Sequence, residues 1–83
     1  MKVTVKYFAS IREAIGMSNE SVATTAATLE GLRNELIALG GAHGESLARG
    51  RAVRMALNQV MSDESAALFD GAEVAFFPPV TGG

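Results

Sequence analysis

Leu29, Leu32, Leu36 and Leu39 recur at spacings of three and four, which lays one apolar stripe along an amphipathic helix. Thr28 suits its N-cap, Glu30 in the first turn complements the helix dipole, and Gly40-Gly41 stops it. No other segment of the 83 residues has a helical pattern of that strength. A single helix must bury its stripe against another layer, and the flanking segments read as strands. A chain this short has room for one core and no second domain.

Lys2 to Phe8 alternates, with Val3, Val5 and Tyr7 on one face and Thr4, Lys6 and Phe8 on the other. Phe8 is therefore out of place, an aromatic sharing a face with polar residues. Ser10 is expected to cap a short helix over Ile11 to Ile15, ended by Gly16. Ser18 to Thr25 reads as a weaker strand, and residues 42 to 51 as a loop with a helical turn near Leu47. Ala52 to Leu57 reads as a strand, Asn58-Gln59 as a turn, and Val60-Met61 as a short return. Asp70-Gly71 is a strong turn signal, and Ala72 to Phe77 is the last strand. Pro78-Pro79 ends ladder pairing, because neither residue has a backbone N–H. If the first and last strands are parallel neighbours, the helix lies in the crossover between them. That arrangement is an α+β fold of the β-grasp, or ubiquitin-like, type over residues 1–77, followed by a tail over 78–83. An antiparallel α+β sandwich with one helix is the competing arrangement.

Composition removes most function classes. Apolar residues make up 48% and charged residues 19%, a globular balance. The absence of cysteine excludes disulfides, a Cys nucleophile and Cys-based zinc sites, and a reducing, cytoplasmic setting fits best. A net charge of −2 argues against general binding to nucleic acid or anionic membranes. No run approaches the roughly 20 apolar residues of a membrane span. His43 alone builds no multi-His metal site, and in its Gly-rich setting it reads as surface. The adjacent Asp63-Glu64 reads as plain solvated charge. Arg49, Arg51 and Arg54 form a local basic cluster, either a solvated edge or a contact for an acidic protein partner. Ser and Thr lack a nearby base, and the glycines of residues 40–44 follow a helix, whereas a P-loop precedes one.

The unusual feature is Phe76-Phe77-Pro78-Pro79-Val80-Thr81-Gly82-Gly83. The prolines stiffen an extended exit from the sheet, and the six residues from Pro78 reach roughly 20 Å at about 3.3 Å each. Gly82 and Gly83 carry no side chains, so this end can thread a narrow channel. The reactive group delivered there is a carboxylate at Gly83. It is a poor electrophile until activated, most simply as an acyl-adenylate made by another protein. In a chain without cysteine, sulfur could be carried only at Gly83.

The sequence resembles the MoaD-type sulfur carriers, the small subunits of molybdopterin synthase. The likeness is densest in Val5-Lys6-Tyr7-Phe8-Ala9-Ser10-Ile11-Arg12-Glu13, in Ala56-Leu57-Asn58-Gln59 and in Asp70 through Gly83. The resemblance implies a β-grasp fold and a cycle in which an adenylyltransferase of the ubiquitin-activating type adenylates Gly83 with Mg-ATP. A sulfur-relay protein then makes the thiocarboxylate. The tail, Pro78, Pro79, Val80, Thr81 and Gly82, enters the large subunit, where Gly83 gives sulfur to cyclic pyranopterin monophosphate. On this view the chain is the sulfur-donating part of a transferase of two small and two large subunits, without a complete active site of its own. It holds no permanent cofactor or metal. Phe8, Arg12, Met61 and Phe77 are expected to meet both partners. The alternatives are a carrier for thiamin or amino-acid biosynthesis, a ubiquitin-like modifier joined to lysines, and a plain interaction domain.

Overall fold

The computed structural model describes residues 1–79. Its elements are β1 (Lys2–Tyr7), α1 (Ala9–Ile15), β2 (Asn19–Ala23), α2 (Leu29–Ala38), α3 (Gly41–Ser46), β3 (Arg54–Leu57), β4 (Val60–Ser62) and β5 (Glu73–Phe77). They form one five-stranded sheet in the order β2-β1-β5-β3-β4. β1 and β5 run parallel at its centre, with Val5 opposite Val74 and Tyr7 opposite Phe76, and the other pairs are antiparallel. This is the β-grasp arrangement: α2 lies in the crossover that brings β5 beside β1. Both central strands therefore finish at the same end of the sheet.

Val3, Val5 and Tyr7 of β1 meet Val74 and Phe76 of β5, Met55 of β3, and Leu29, Leu32 and Leu36 of α2 in one core cluster. Thr28 caps α2 through its hydroxyl, which accepts from the Gly31 N–H at 3.2 Å. The stripe stops short of Leu39, which is 65% exposed, and Arg33 is buried instead. Its guanidinium donates to the carbonyls of Leu47, Ala48 and Arg51 and to Glu64, so a charge that would otherwise be costly to bury holds residues 47–51 against the helix. Periodicity cannot anticipate that, because the satisfying groups are backbone carbonyls distant in sequence.

Three local expectations change. Helix α1 begins at Ala9 and its N-cap is Phe8, with no side-chain cap, so Ser10 does not cap it. Gly16 does end it, in the left-handed region at φ 87°. The segment expected as a loop over 42–51 contains α3, whose following residue, Leu47, is fully buried. The weaker strand shortens to Asn19–Ala23, and the third strand begins at Arg54 rather than Ala52.

Candidate functional site

Strand alternation turns Phe8, Phe77, Arg54, Ala56, Ala75 and Met61 onto the face opposite the core cluster. Phe8 is 46% exposed and Phe77 is half-buried. Their rings meet edge to face, with centroids 6.4 Å apart. The Phe8 N–H donates to the Phe76 carbonyl at 3.1 Å, which carries the parallel ladder one step beyond β1 and seats Phe8 beside Phe77. The polar neighbours that make Phe8 look misplaced in the sequence are thus explained by the partner strand, whose Phe77 meets it on that face.

Arg54 is the cross-strand partner of Phe77, and Met61 is that of Ala56, which in turn faces Ala75. Met61 is 55% exposed on the same face, one strand beyond β3. Arg12 is exposed one helical turn after Phe8, and its N–H donates to the Phe8 carbonyl at 3.3 Å. Phe8 and Phe77 are in direct contact. Arg12 joins them through the first turn of α1, while Met61 shares their face without a ring contact to them. Past Phe77 come Pro78 and Pro79, both half-buried. Val80, Thr81, Gly82 and Gly83 lie outside the described residues.

The basic cluster divides. Arg49 binds Glu64 and the side-chain carbonyl of Asn34, so it belongs to the structural network around Arg33. Glu64 is consequently no freely solvated charge. Its carboxyl is held below the usual 4.5 by hydrogen bonds from Arg49, with Arg33 adding to them against a smaller opposing effect of burial. Asp63 binds the N–H and hydroxyl of Ser65, which lower its pKa from the usual value. Arg51 and Arg54 are exposed and form no ion pair among the described residues.

His43 is not a simple surface residue either. On the core side of the sheet its Nε2 lies 2.7 Å from Glu20 Oε2, and the Tyr7 hydroxyl donates to the same oxygen at 2.7 Å. The ring of His43 stands edge-on to Tyr7 at 5.9 Å. Burial raises the Tyr7 pKa above the ordinary phenol value, reinforced by the Glu20 carboxylate. Burial works to raise the Glu20 pKa, but the hydrogen bonds from His43 and Tyr7 outweigh it and lower the pKa. The cluster ties β1, β2 and α3 together, and a spacing of 23 residues between Glu20 and His43 gives no signal of it in the sequence. No group of three His, Asp or Glu able to hold a metal occurs among the described residues, and no described helix is long and apolar enough to cross a membrane.

A cleft of about 420 Å³ lies beside the exit, lined by Ile11 and Ala14 of α1, Glu45 and Ser46 of α3, Arg51 and Pro78 among others. The hydroxyl–carboxylate pair of Tyr7 and Glu20 lies on the core side of the sheet, opposite the face that carries Phe8 and Phe77. At the exit the described residues assemble an exposed aromatic and methionine face, with arginines near it, at the point where the chain leaves the sheet.

Comparison with known proteins agrees with that geometry. Residues 5–83 match the model of the ThiS family. The molybdopterin synthase sulfur carrier subunit of Escherichia coli is 40% identical over 81 residues, which cover 98% of this chain and 99% of that protein. Among solved structures, the complex of subunits 1 and 2 of the molybdopterin-converting factor from Helicobacter pylori contains a chain 30% identical, with a TM-score of 0.70 and full coverage of both chains. SAMP1 of Haloferax volcanii superposes with a TM-score of 0.79 at 25% identity, again over both whole chains.

Proposed function

The chain belongs to the ThiS family, and from that membership we propose that it is the sulfur carrier subunit of a molybdopterin synthase, with Gly83 as the group that carries sulfur. The observation that carries the reading is the shared end of β1 and β5. It sets the exposed Phe8–Phe77 pair at the root of the Pro78-Pro79 exit, so docking and delivery of the tail become one event. The near end-to-end likeness to the Escherichia coli carrier supports the choice of pathway.

In the proposed cycle the Gly83 carboxylate attacks the α-phosphate of ATP in an adenylating enzyme of the ubiquitin-activating type, releasing pyrophosphate. Sulfur supplied at the sulfide level by a relay protein displaces AMP and leaves a thiocarboxylate. Its sulfur holds the negative charge, is weakly hydrated and is a strong nucleophile. In the large subunit the sulfur bonds to a side-chain carbon of cyclic pyranopterin monophosphate, displacing an oxygen substituent. Water then cleaves the Gly83 carbonyl–sulfur bond, so that sulfur stays on the pterin and Gly83 returns to a carboxylate. A dithiolene needs two sulfurs, so two carrier visits complete each product. The tail carries no cationic side chain, so the large subunit supplies the charges that bind the pterin phosphate. This chain contributes docking, reach and the sulfur. It acts without a resident cofactor, in the cytoplasm, in an assembly of two small and two large subunits.

The test is single-turnover formation of molybdopterin from cyclic pyranopterin monophosphate by the thiocarboxylated chain and the large subunit. Product at two carriers per pterin supports the reading. A charged carrier that instead feeds thiazole or cysteine synthesis, or forms conjugates on lysines, overturns it.

A further inference from the structure

Three arginines from different parts of the chain each neighbour a residue of the Phe8–Phe77–Pro78 exit. Arg54 is the cross-strand partner of Phe77. Arg51 lines the cleft that Pro78 also lines, and Arg12 follows Phe8 by one turn of α1. All three are exposed, and none forms an ion pair among the described residues. The remaining cationic side chains are occupied or distant. Arg33 and Arg49 are bound to Glu64, Lys6 is paired with Glu73 at 3.2 Å, and Lys2 lies at the opposite end of β1. Glu13 lies beside Arg12 in α1, Glu45 lines the cleft with Arg51, and Asp63 and Glu64 line a second pocket with Arg54 and Met61; none of them is ion-paired with these three arginines. A chain of net charge −2 thus carries three exposed arginines without ion pairs, among the described residues, at positions that neighbour Phe8, Phe77 and Pro78.

We propose that Arg51 and Arg54 extend Arg12 into a cationic collar that selects the partner protein by carboxylates on the rim of the channel receiving the tail. The inference rests on the carrier reading above. Phe8, Phe77 and Met61 supply an apolar centre to the contact, and the arginines supply its charged rim, the usual division of an interface. Charges at a rim act chiefly on the encounter, raising the association rate and rejecting partners of the same sign. The collar does not serve the chemistry at Gly83. Six residues from Pro78 place that carboxylate up to roughly 20 Å away, about two Debye lengths at 0.1 M salt. A nucleic-acid partner is disfavoured by the net negative charge of the whole.

The experiment measures association of the full chain with the purified large subunit of molybdopterin synthase from the same genome, by stopped flow, from low to 1 M salt. The double variant Arg51→Glu/Arg54→Glu is expected to associate at least about tenfold more slowly at low salt and to converge with the unaltered chain at 1 M. Arg51→Gln/Arg54→Gln should fall between them, and Lys2→Glu should match the unaltered chain. Thermal melts establish that each variant is folded, and the glutamine pair carries the test if the glutamate pair is not. Equal rates at low salt for folded variants, or an equal loss for Lys2→Glu, would overturn the collar while leaving the carrier reading in place. Failure of the unaltered chain to bind at any salt would overturn both.

Discussion

Phe77 and Arg33 show how differently two residues of one small domain can be placed. Phe77 is half-buried against Phe8 on the open face, so truncating it removes little core packing. Phe77→Ala should lower stability by about 1 kcal/mol and weaken large-subunit binding by about 2 kcal/mol or more. A thermal melt and a titration compare the two, and equal losses would return Phe77 to a structural role. Arg33 is only 4% exposed and satisfies three carbonyls besides Glu64. Arg33→Ala should cost ~3 kcal/mol in denaturant unfolding, because it strands those carbonyls and loosens residues 47–51. The exposed pairing of Phe77 with Phe8 was legible in the sequence, since an aromatic on a polar strand face and another before Pro-Pro fall side by side if the first and last strands are neighbours. The burial of Arg33 was not, because nothing in the spacing of α2 says that an arginine beside the leucine stripe will find acceptors in a segment 14 to 18 residues away.

At the scale of elements, regular alternation and turn chemistry were readable wherever one face of a strand is fully buried. Val3, Val5 and Tyr7 face the core as their period of two demands, and α2 has its expected cap. The readings that failed fell where tertiary contacts override local preference. α3 forms over a Gly-rich segment because His43 reaches Glu20 and the next residue, Leu47, enters the core. Gly44 permits it, for a Cβ there would lie 3.1 Å from the Ile37 carbonyl of α2. The β3–β4 turn is tight, with φ at 48° for Asn58 and 68° for Gln59. Asn58 is suited to it and locks the hairpin to β5, exchanging hydrogen bonds with both backbone groups of Glu73 at 2.8 Å. Gln59 has no such compensation among the described residues. Gln59→Gly should relieve the left-handed strain and raise stability by roughly 0.5–1 kcal/mol, measured by urea unfolding. A loss of stability would mean that Gln59 is held by contacts the turn geometry does not reveal.

For the whole molecule, topology does what no single segment can. Parallel pairing of β1 with β5 brings Phe8, Arg12, Arg54 and Phe77 from four separate elements and junctions to one end. The same compactness makes stability sensitive to acid. Glu20 and Glu64 both have pKa values lowered by their partners in the folded chain, so their contribution is present above the usual value of 4.5 and is lost as the pH falls through their lower folded values. The melting temperature should therefore fall as the pH drops below 4.5. Glu64→Gln should melt lower at neutral pH yet lose less on acidification, and an unchanged acid slope would remove Glu64 from the account. The family and the fold were within reach of the sequence through Phe76 to Gly83 and the strand order. The three-element tie of Tyr7, Glu20 and His43, and the division of the arginines into bound and free, required the folded chain.

The central claim is that sulfur is carried at Gly83. Intact-mass measurement of the chain before and after incubation with Mg-ATP, the adenylating enzyme and a sulfide source tests it most directly, with the chain lacking Gly83 as control. The account predicts a gain equal to one oxygen-for-sulfur exchange on the unaltered chain and none on the control. An unchanged mass, with an enzyme that charges a known carrier under the same conditions, would contradict it.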